Sequence, residues 1–238
     1  MSLSKISRNP VENRLLAALP YNEYKRLLPH LELIHLAKNK IVYEIGDTIR
    51  HFYFPSGGML SLLSVSDEGE IIEVGCVGNE GVIGIPVILR GNKMPYRITV
   101  QIPAHVRRIK VDALKAEYNK GGKLQDLLLR YANVLIMQFA QSAICQSFHT
   151  REQRLCRWLL MARDRTNSDN LQFTQEIISL MLGAPRTGVT MTAGALRKAE
   201  LIHYNRGIIQ ILNRPGLEQA ACSCYQIINR ETRNLLVA

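Results

Sequence analysis

The chain has 238 residues, of which 47% are hydrophobic and 21% charged, and this composition excludes a disordered or low-complexity protein. No stretch approaches the roughly 18–20 apolar residues that a membrane-spanning helix needs. The first residues also lack the apolar core of a secretory signal. Five cysteines without the spacing of a disulfide framework suit a reducing compartment. We therefore expect a cytoplasmic protein.

The charge favours an anionic partner. Thirty Lys and Arg against twenty Asp and Glu give a net charge of +10. Residues 151–214 hold ten basic and five acidic side chains, and nine of the ten are arginines. Such an excess is typical of nucleic-acid binding, but it also occurs on a well-solvated surface.

The first half of the chain predicts two short helices and then many strands. Residues 10–29 are punctuated by Pro20 and Pro29, which predicts the helices. Between Glu32 and Ile109, short apolar runs alternate with Gly, Pro, Asp and Asn, a pattern typical of an antiparallel sandwich, roll or barrel. The best strand candidates are residues 41–43, 52–54, 59–65, 71–74, 96–102 and 106–109.

A short helix is predicted over 112–118, and a long helix without Pro or Gly over 123–147. About 25 residues at 1.5 Å each make a helix about 38 Å long, more than one small domain covers. Four apolar positions follow the spacing of a coiled-coil seam, namely Leu124, Leu128, Tyr131 and Leu135. We expect a parallel homodimer to bury this seam. The alternative is that the helix packs on its own domain.

A further helix over 150–165 places a domain boundary near residue 149. The predicted domains are therefore a strand-rich domain over 1–122, a dimerisation helix over 123–149 and a DNA-binding domain over 150–238. The DNA-binding assignment of the last domain depends on the segment that follows this helix.

Residues 171–214 predict a helix-turn-helix with a wing. Thr174 can cap a helix over 176–182, a glycine stops that helix, and a second helix follows over 186–199. The segment 201–212 then predicts a β-hairpin with a basic tip.

The second helix is expected to lie in the major groove of DNA, with its first residues nearest the base edges. Arg186 can donate two hydrogen bonds to a guanine edge. A threonine in the same turn can contact bases or phosphates, and the start of the preceding helix can anchor a phosphate. The residues predicted to contact DNA are Thr174, Gln175, Arg186, Thr187, Thr190 and Arg206.

Several segments together carry a resemblance to a known family. They are residues 44–47, 52–60, 78–84, 174–176 and 186–190, and the block 183–201 is the most specific. On these segments the chain resembles the Crp/Fnr transcription regulators over nearly its whole length.

The resemblance implies an α+β fold. Its parts are an N-terminal antiparallel β-roll that acts as the effector sensor over 1–122 (a double-stranded β-helix like that of cyclic-nucleotide-binding domains), a long dimerisation helix and a C-terminal winged helix-turn-helix. It also implies a homodimer that binds a two-fold-related operator in double-stranded DNA and contacts RNA polymerase.

The same resemblance disfavours cyclic AMP or GMP as the effector. Cyclic-nucleotide binders place a glutamate on the ribose and an arginine on the phosphate, and the chain has Ile83 and Tyr96 at these positions. Arg97 is displaced by one residue, which on a strand turns a side chain to the other face. The effector pocket implied for an unidentified ligand comprises Val82, Ile83, Gly84, Tyr96, Arg97 and Thr99. Thr187 also replaces a glutamate that many relatives carry, so their operator is not transferable.

No metal site is expected. Iron–sulfur relatives carry several cysteines near the N-terminus, and this chain has none before Cys76. Cys222 and Cys224 are two residues apart, and on one helix such side chains point in different directions, so we expect partly buried structural cysteines. Haem stays open as a cofactor because one histidine suffices as its ligand, and His51 and His105 lie in the strand-rich region.

Two other classes of function compete with a DNA-binding regulator. Cupin-type metal enzymes need a His-x-His motif with further ligands, which this chain lacks, and it carries no nucleophile elbow, P-loop or GxGxxG motif. An enzyme is therefore not expected. A ligand-sensing module that acts through protein partners instead of DNA is the remaining alternative.

Overall fold

A computed structural model describes residues 13–236, so the part of the predicted 10–29 segment before Asn13 lies outside it. The helices of the first half are α1 (Arg14–Ala17), α2 (Tyr21–Leu27) and α3 (Val111–Tyr118). The strands between α2 and α3 are β1 (Glu32–Leu36), β2 (Ile41–Tyr43), β3 (His51–Pro55), β4 (Met59–Val65), β5 (Ile71–Val77), β6 (Arg97–Ile102) and β7 (Ala104–Lys110).

The second half is mostly helical. Its first two helices are α4 (Lys123–Phe148) and α5 (Arg151–Thr166). The remaining elements, in chain order, are β8 (Asn170–Gln172), α6 (Gln175–Leu182), α7 (Arg186–Lys198), β9 (Ile202–Asn205), β10 (Ile208–Ile211), α8 (Arg214–Ala220) and α9 (Cys224–Asn234). None of the helices in the described part of the chain is both long and apolar enough to cross a membrane.

The N-terminal strands form two antiparallel sheets, in the orders β1-β7-β3 and β2-β6-β4-β5. Their facing sides enclose a core of fully buried side chains, among them Phe52, Phe54, Leu62 and Ile98. The predicted α+β fold with an antiparallel β-roll, a long helix and a winged helix-turn-helix is confirmed. Strand β1 was not among the predicted candidates, because most of its residues are exposed and it shows no clear apolar run.

The long helix α4 packs along the roll. Its residues Leu124, Leu128, Tyr131 and Leu135 are each at most 3% exposed and belong to the core of their own chain. The structure therefore corrects the predicted dimer seam: side chains already covered by the roll cannot also contact a second chain. The predicted domain boundaries, after residues 122 and 149, stay a prediction.

The C-terminal helices enclose a second core around Trp158, whose ring centroid lies 4.1 Å from that of Phe173. Two residues of the roll, Met59 and Cys76, also belong to this core. The roll and the helical domain are thus joined by a continuous apolar contact.

Candidate nucleic-acid interface

Helices α6 and α7 form a helix-turn-helix because local signals start and stop each of them. The Thr174 hydroxyl caps α6 by accepting a hydrogen bond from the Ile177 amide at 3.3 Å. Gly183 ends α6 in the left-handed conformation, at φ 55°, a conformation that glycine adopts without steric cost. Pro185 then precedes the first turn of α7.

Helix α7 buries one face and exposes the other. Val189, Ala193 and Leu196 pack inward, whereas Arg186, Thr187 and Thr190 are exposed. The structure therefore places the three predicted reading residues on one accessible face, at the N-terminal half of the helix. Such a face can enter a major groove.

The starts of the two helices lie close together. The Gln175 side-chain amide donates a hydrogen bond to the Thr190 hydroxyl at 3.3 Å. Arg186 lies 3.9 Å from the Glu176 carboxylate, and both side chains are at least 70% exposed. Solvent screens such a pair, so Glu176 holds Arg186 only weakly and the guanidinium can turn toward a base.

The wing is a hairpin of β9 and β10, which pair through Asn205 and Ile208. Its two turn residues, Arg206 and Gly207, have φ angles of 45° and 81°, as a tight two-residue hairpin turn requires. A Cβ built on Gly207 would lie 3.9 Å from Thr174 Cγ2. The predicted contacts Arg206 and Thr174 are therefore neighbours at one edge of the domain.

Sequence reasoning missed Met191, which is 76% exposed on α7. It follows Thr187 by four residues and so shares its face. An exposed apolar side chain at this place can contact a thymine methyl group. A helical projection starting from Arg186 would have found it.

The arginine excess of residues 151–214 is only partly a DNA-binding surface. Several of these arginines are structural: Arg154 donates to the carbonyl of Leu182, Arg163 pairs with Asp169, Arg214 pairs with Asp164 and Glu218, and Arg157 and Arg165 are buried. The exposed Arg151, Arg186, Arg197 and Arg206 remain, and of these Arg186 and Arg206 are the predicted phosphate or base contacts. The count of basic residues alone thus overstates the number of arginines that are available to DNA.

The residues predicted to line an effector pocket do not form a single lining. Ile83 is buried in the roll core and exchanges backbone hydrogen bonds with Tyr53. Arg97 pairs with the Glu44 carboxylate at 2.8 Å. Arg97 and Thr99 alternate along β6 with the core residue Ile98, so they point away from the roll core.

The other predicted pocket residues have structural contacts. Val82 is buried in the roll core. A Cβ at Gly84 would lie 2.6 Å from the Phe52 ring, so only glycine fits there. The Tyr96 ring packs edge-on against Phe139 of α4, and burial raises the pKa of Tyr96 to about 12.

Two family models match this chain in tandem. The model of the cyclic nucleotide-binding domain matches residues 33–120, and that of the Crp-like helix-turn-helix domain matches residues 153–220. The first covers the roll and the second covers the helix-turn-helix with its wing. The chain belongs to the Crp/Fnr family. It is a DNA-binding transcription regulator.

Relatives and solved structures agree with this membership. The Crp/Fnr chain is 24% identical over 184 residues to a global nitrogen regulator of Nostoc sp., an alignment that covers 73% of this chain and 82% of the relative. It resembles the structure of FixK2 from Bradyrhizobium japonicum with a TM-score of 0.70 at 14% identity, over 81% of this chain and 98% of that one. A CRP-family transcriptional regulator from Thermus thermophilus matches with a TM-score of 0.63 at 18% identity, over 79% and 96% of the two chains. At these identities the structural matches show the fold.

In this Crp/Fnr protein a buried polar cluster joins the roll to the DNA-binding domain. The Arg165 guanidinium of α5 lies 2.7 Å from the Glu80 carboxylate of the roll, and both side chains are only 7% exposed. Arg165 also donates to the Cys76 carbonyl at 3.4 Å. A Cβ at Gly78 would lie 2.6 Å from Arg165 Cγ, so the close approach depends on that glycine. Sequence reasoning missed this contact because its partners are far apart in the chain.

A second buried carboxylate, Glu73, makes stability depend on pH. Burial raises the pKa of Glu73 to about 7, although a hydrogen bond from Ser61 and the charges of Arg157 and Arg165 act in the opposite direction. Its ordinary pKa is 4.5, so between these values the folded state holds a proton that the unfolded state releases. This contribution to the free energy of unfolding is complete below pH 4.5 and is lost as the pH rises through 7.

We expect Glu73→Gln to flatten the pH dependence of stability. The wild-type protein should lose about 3 kcal/mol of unfolding free energy between about pH 5 and pH 8 through this group, and the variant should not. Urea unfolding at both pH values measures this, with the exposed neighbour Glu70→Gln as the control. An equal loss of unfolding free energy in the wild type, Glu73→Gln and Glu70→Gln would show that Glu73 does not cause the pH dependence.

Proposed function

We propose that this Crp/Fnr regulator acts in the cytoplasm as a homodimer that reads a palindromic operator and contacts RNA polymerase. Its roll would sense an effector that is not cyclic AMP or GMP. The observation that carries the proposal is the exposed first half of α7, where Arg186, Thr187 and Thr190 share one face. A recognition helix needs such a face to reach base edges.

The homodimer is supported by a second stripe on α4. Leu129, Ile136, Ile144 and Phe148 are 45%, 57%, 43% and 81% exposed. The stripe has core positions in alternating steps of four and three residues, and Ile144 and Phe148 directly follow the last two of them. These exposed core positions are Leu129, Asn133, Ile136, Ala140, Ala143 and Ser147. This is the spacing of a two-stranded coiled coil.

Asn133 fits this stripe as a dimer seam. It occupies a core position of the repeat, where a single asparagine selects a two-stranded register at some cost in stability. We therefore move the proposed seam from the buried stripe of Leu124, Leu128, Tyr131 and Leu135 to this exposed one.

The choice against cyclic nucleotides is supported by Ile83 and Arg97. Ile83 is 3% exposed and offers a ribose no hydrogen bond. Arg97 is occupied by Glu44. To control DNA binding, a different effector would have to bind two conformational states of the roll with different affinities.

Selection of bound DNA from a random-sequence pool, at fixed moderate salt, tests the proposal. We expect an inverted repeat whose half-sites are about one helical turn apart, which matches two recognition helices related by two-fold symmetry. Recovery of a single half-site would contradict the homodimer. Recovery of no motif, with and without a small-molecule extract of cells, would contradict sequence-specific reading.

Arg186→Ala should weaken operator binding by roughly 5- to 150-fold, the equivalent of about 1–3 kcal/mol. It should also relax the preference at one base pair of each half-site, because a bidentate guanine contact is lost. Competition binding with single-base operator variants measures both effects.

Arg197→Ala is the matched control, since it removes an exposed arginine from the last turn of the same helix. It should leave the base preference unchanged. If the Arg186 variant kept full specificity, another residue would have to read that base pair.

A further inference from the structure

Four side chains that commonly bind metals converge where α4 ends. Cys145 and His149 lie four residues apart at the end of this helix, and His149 is its C-terminal cap residue. Cys224 is the first residue of α9, and Cys222 lies in the loop before it. The potential ligand atoms of these residues all lie within 4.8 Å of one another.

The expectation that Cys222 and Cys224 point apart assumed that both lie on one helix. Only Cys224 lies on a helix. The loop conformation of Cys222 turns its thiol toward the same cluster of ligand atoms. Cys222 Sγ lies 3.5 Å from Cys145 Sγ, and Cys224 Sγ lies 3.6 Å from His149 Nδ1. Two sequence-distant pairs therefore meet in one cluster.

Both of these separations are close to those of a tetrahedral ligand set, and every pair of ligand atoms lies within 4.8 Å. With Zn–S near 2.3 Å and Zn–N near 2.0 Å, the corners of a tetrahedron lie about 3.8 Å apart for two thiolates and about 3.5 Å apart for thiolate and imidazole. A disulfide would need a sulfur–sulfur distance of about 2.0 Å, and all five cysteines are free. An iron–sulfur cluster distributes its thiolates over several iron atoms, whereas here four donors converge on one point.

The charge around the cluster favours an anionic centre. Arg157 is buried and interacts electrostatically with Cys145, Cys222 and Cys224. Within residues 13–236 it forms no salt bridge with a carboxylate, and its Nε has no hydrogen-bond partner. The Arg157 charge also acts on the Glu73 carboxylate, but burial raises the pKa of that group to about 7, so Glu73 balances the buried cation only in part near neutral pH. Three thiolates, a neutral imidazole and Zn²⁺ together carry one negative charge and would supply the remaining counter-charge.

We propose that Cys145, His149, Cys222 and Cys224 form a Cys₃His zinc site. The site joins α9 to the point where α4 passes into α5, because only His149 and Thr150 separate these two helices. Zinc therefore braces the joint between the long helix and the DNA-binding domain.

Metal titration of the full-length protein tests the site without reference to DNA binding. Protein purified under reducing conditions and stripped with a chelator should bind one Co²⁺ per chain. The complex should show thiolate-to-cobalt charge transfer and the intense visible bands of tetrahedral Co²⁺, and Zn²⁺ should abolish both. Elemental analysis should then find one zinc per chain.

Single variants assign the ligands. Cys222→Ser and Cys224→Ser should lose stoichiometric binding, whereas Cys156→Ser, which removes a buried thiol of the second core, should keep it. His149→Cys should retain the metal with the charge-transfer spectrum of a four-thiolate site. Circular dichroism shows whether each serine variant folds. If one does not, the His149→Cys variant still tests the site, because it retains four ligands.

The contrary result is equally definite. Folded wild-type protein with five titratable thiols would overturn the site if it bound no more Co²⁺ than the triple variant Cys145→Ser/Cys222→Ser/Cys224→Ser. Equal loss of binding in Cys156→Ser would overturn it as well.

Discussion

Ile136→Glu should convert the protein to monomers and lower its operator affinity by about 100-fold or more. Ile136 is 57% exposed at the middle of the α4 stripe, so the substitution leaves the fold of each chain intact. In a parallel dimer, however, it would place two carboxylates against each other in an apolar seam. A monomer also loses the second half-site contact, which supplies the avidity of a dimer. Sedimentation and operator binding measure the two effects.

Leu89→Glu is the control for this experiment, because Leu89 is similarly exposed, at 54%, but lies in a loop of the roll. It should remain dimeric. A dimeric Ile136 variant with unchanged operator affinity would refute the seam. Charged residues at Leu128 or Leu135 would not test it, because these side chains are buried in the chain's own core and the variants would measure folding.

Glu80→Gln should lower the free energy of unfolding by about 3–5 kcal/mol, because it leaves the buried Arg165 guanidinium without its counter-charge. It should also loosen the contact between the roll and α5. Urea unfolding measures the first effect. The second should appear as faster amide hydrogen exchange around the Gly78 backbone, whose amide donates to Glu80.

Two comparisons isolate the effect of leaving the Arg165 guanidinium unpaired. Glu32→Gln breaks the exposed pair with Arg108 and should cost at most about 1 kcal/mol. The double variant Glu80→Gln/Arg165→Met should be more stable than Glu80→Gln alone, since no unpaired charge remains. A double variant that is less stable than the single one would show that Arg165 stabilises the interface through contacts other than Glu80.

The helix-turn-helix could be predicted from sequence because its signals are local. A capping hydroxyl at Thr174, a left-handed glycine at 183 and Pro185 act within one or two turns of the chain. The same holds for the hairpin turn at Arg206 and Gly207. The candidate DNA-contacting residues therefore lie together on one exposed surface.

The dimer seam could not be chosen from sequence. Helix α4 carries two apolar stripes, one through Leu128 and Leu135 and one through Leu129 and Ile136. Helical periodicity describes both equally well. Only the packing of the roll against the first stripe decides that the second is available to a partner.

The sequence by itself determined the order of roll, long helix and winged helix-turn-helix, because helices, strands and turns depend on neighbouring residues. Tertiary structure decided which stripe of α4 is exposed and which arginines are structural. It also decided that Glu80 meets Arg165 and that Cys145 and His149 meet Cys222 and Cys224. These features depend on contacts between residues far apart in the chain, and burial and ligand geometry arise only when such contacts form.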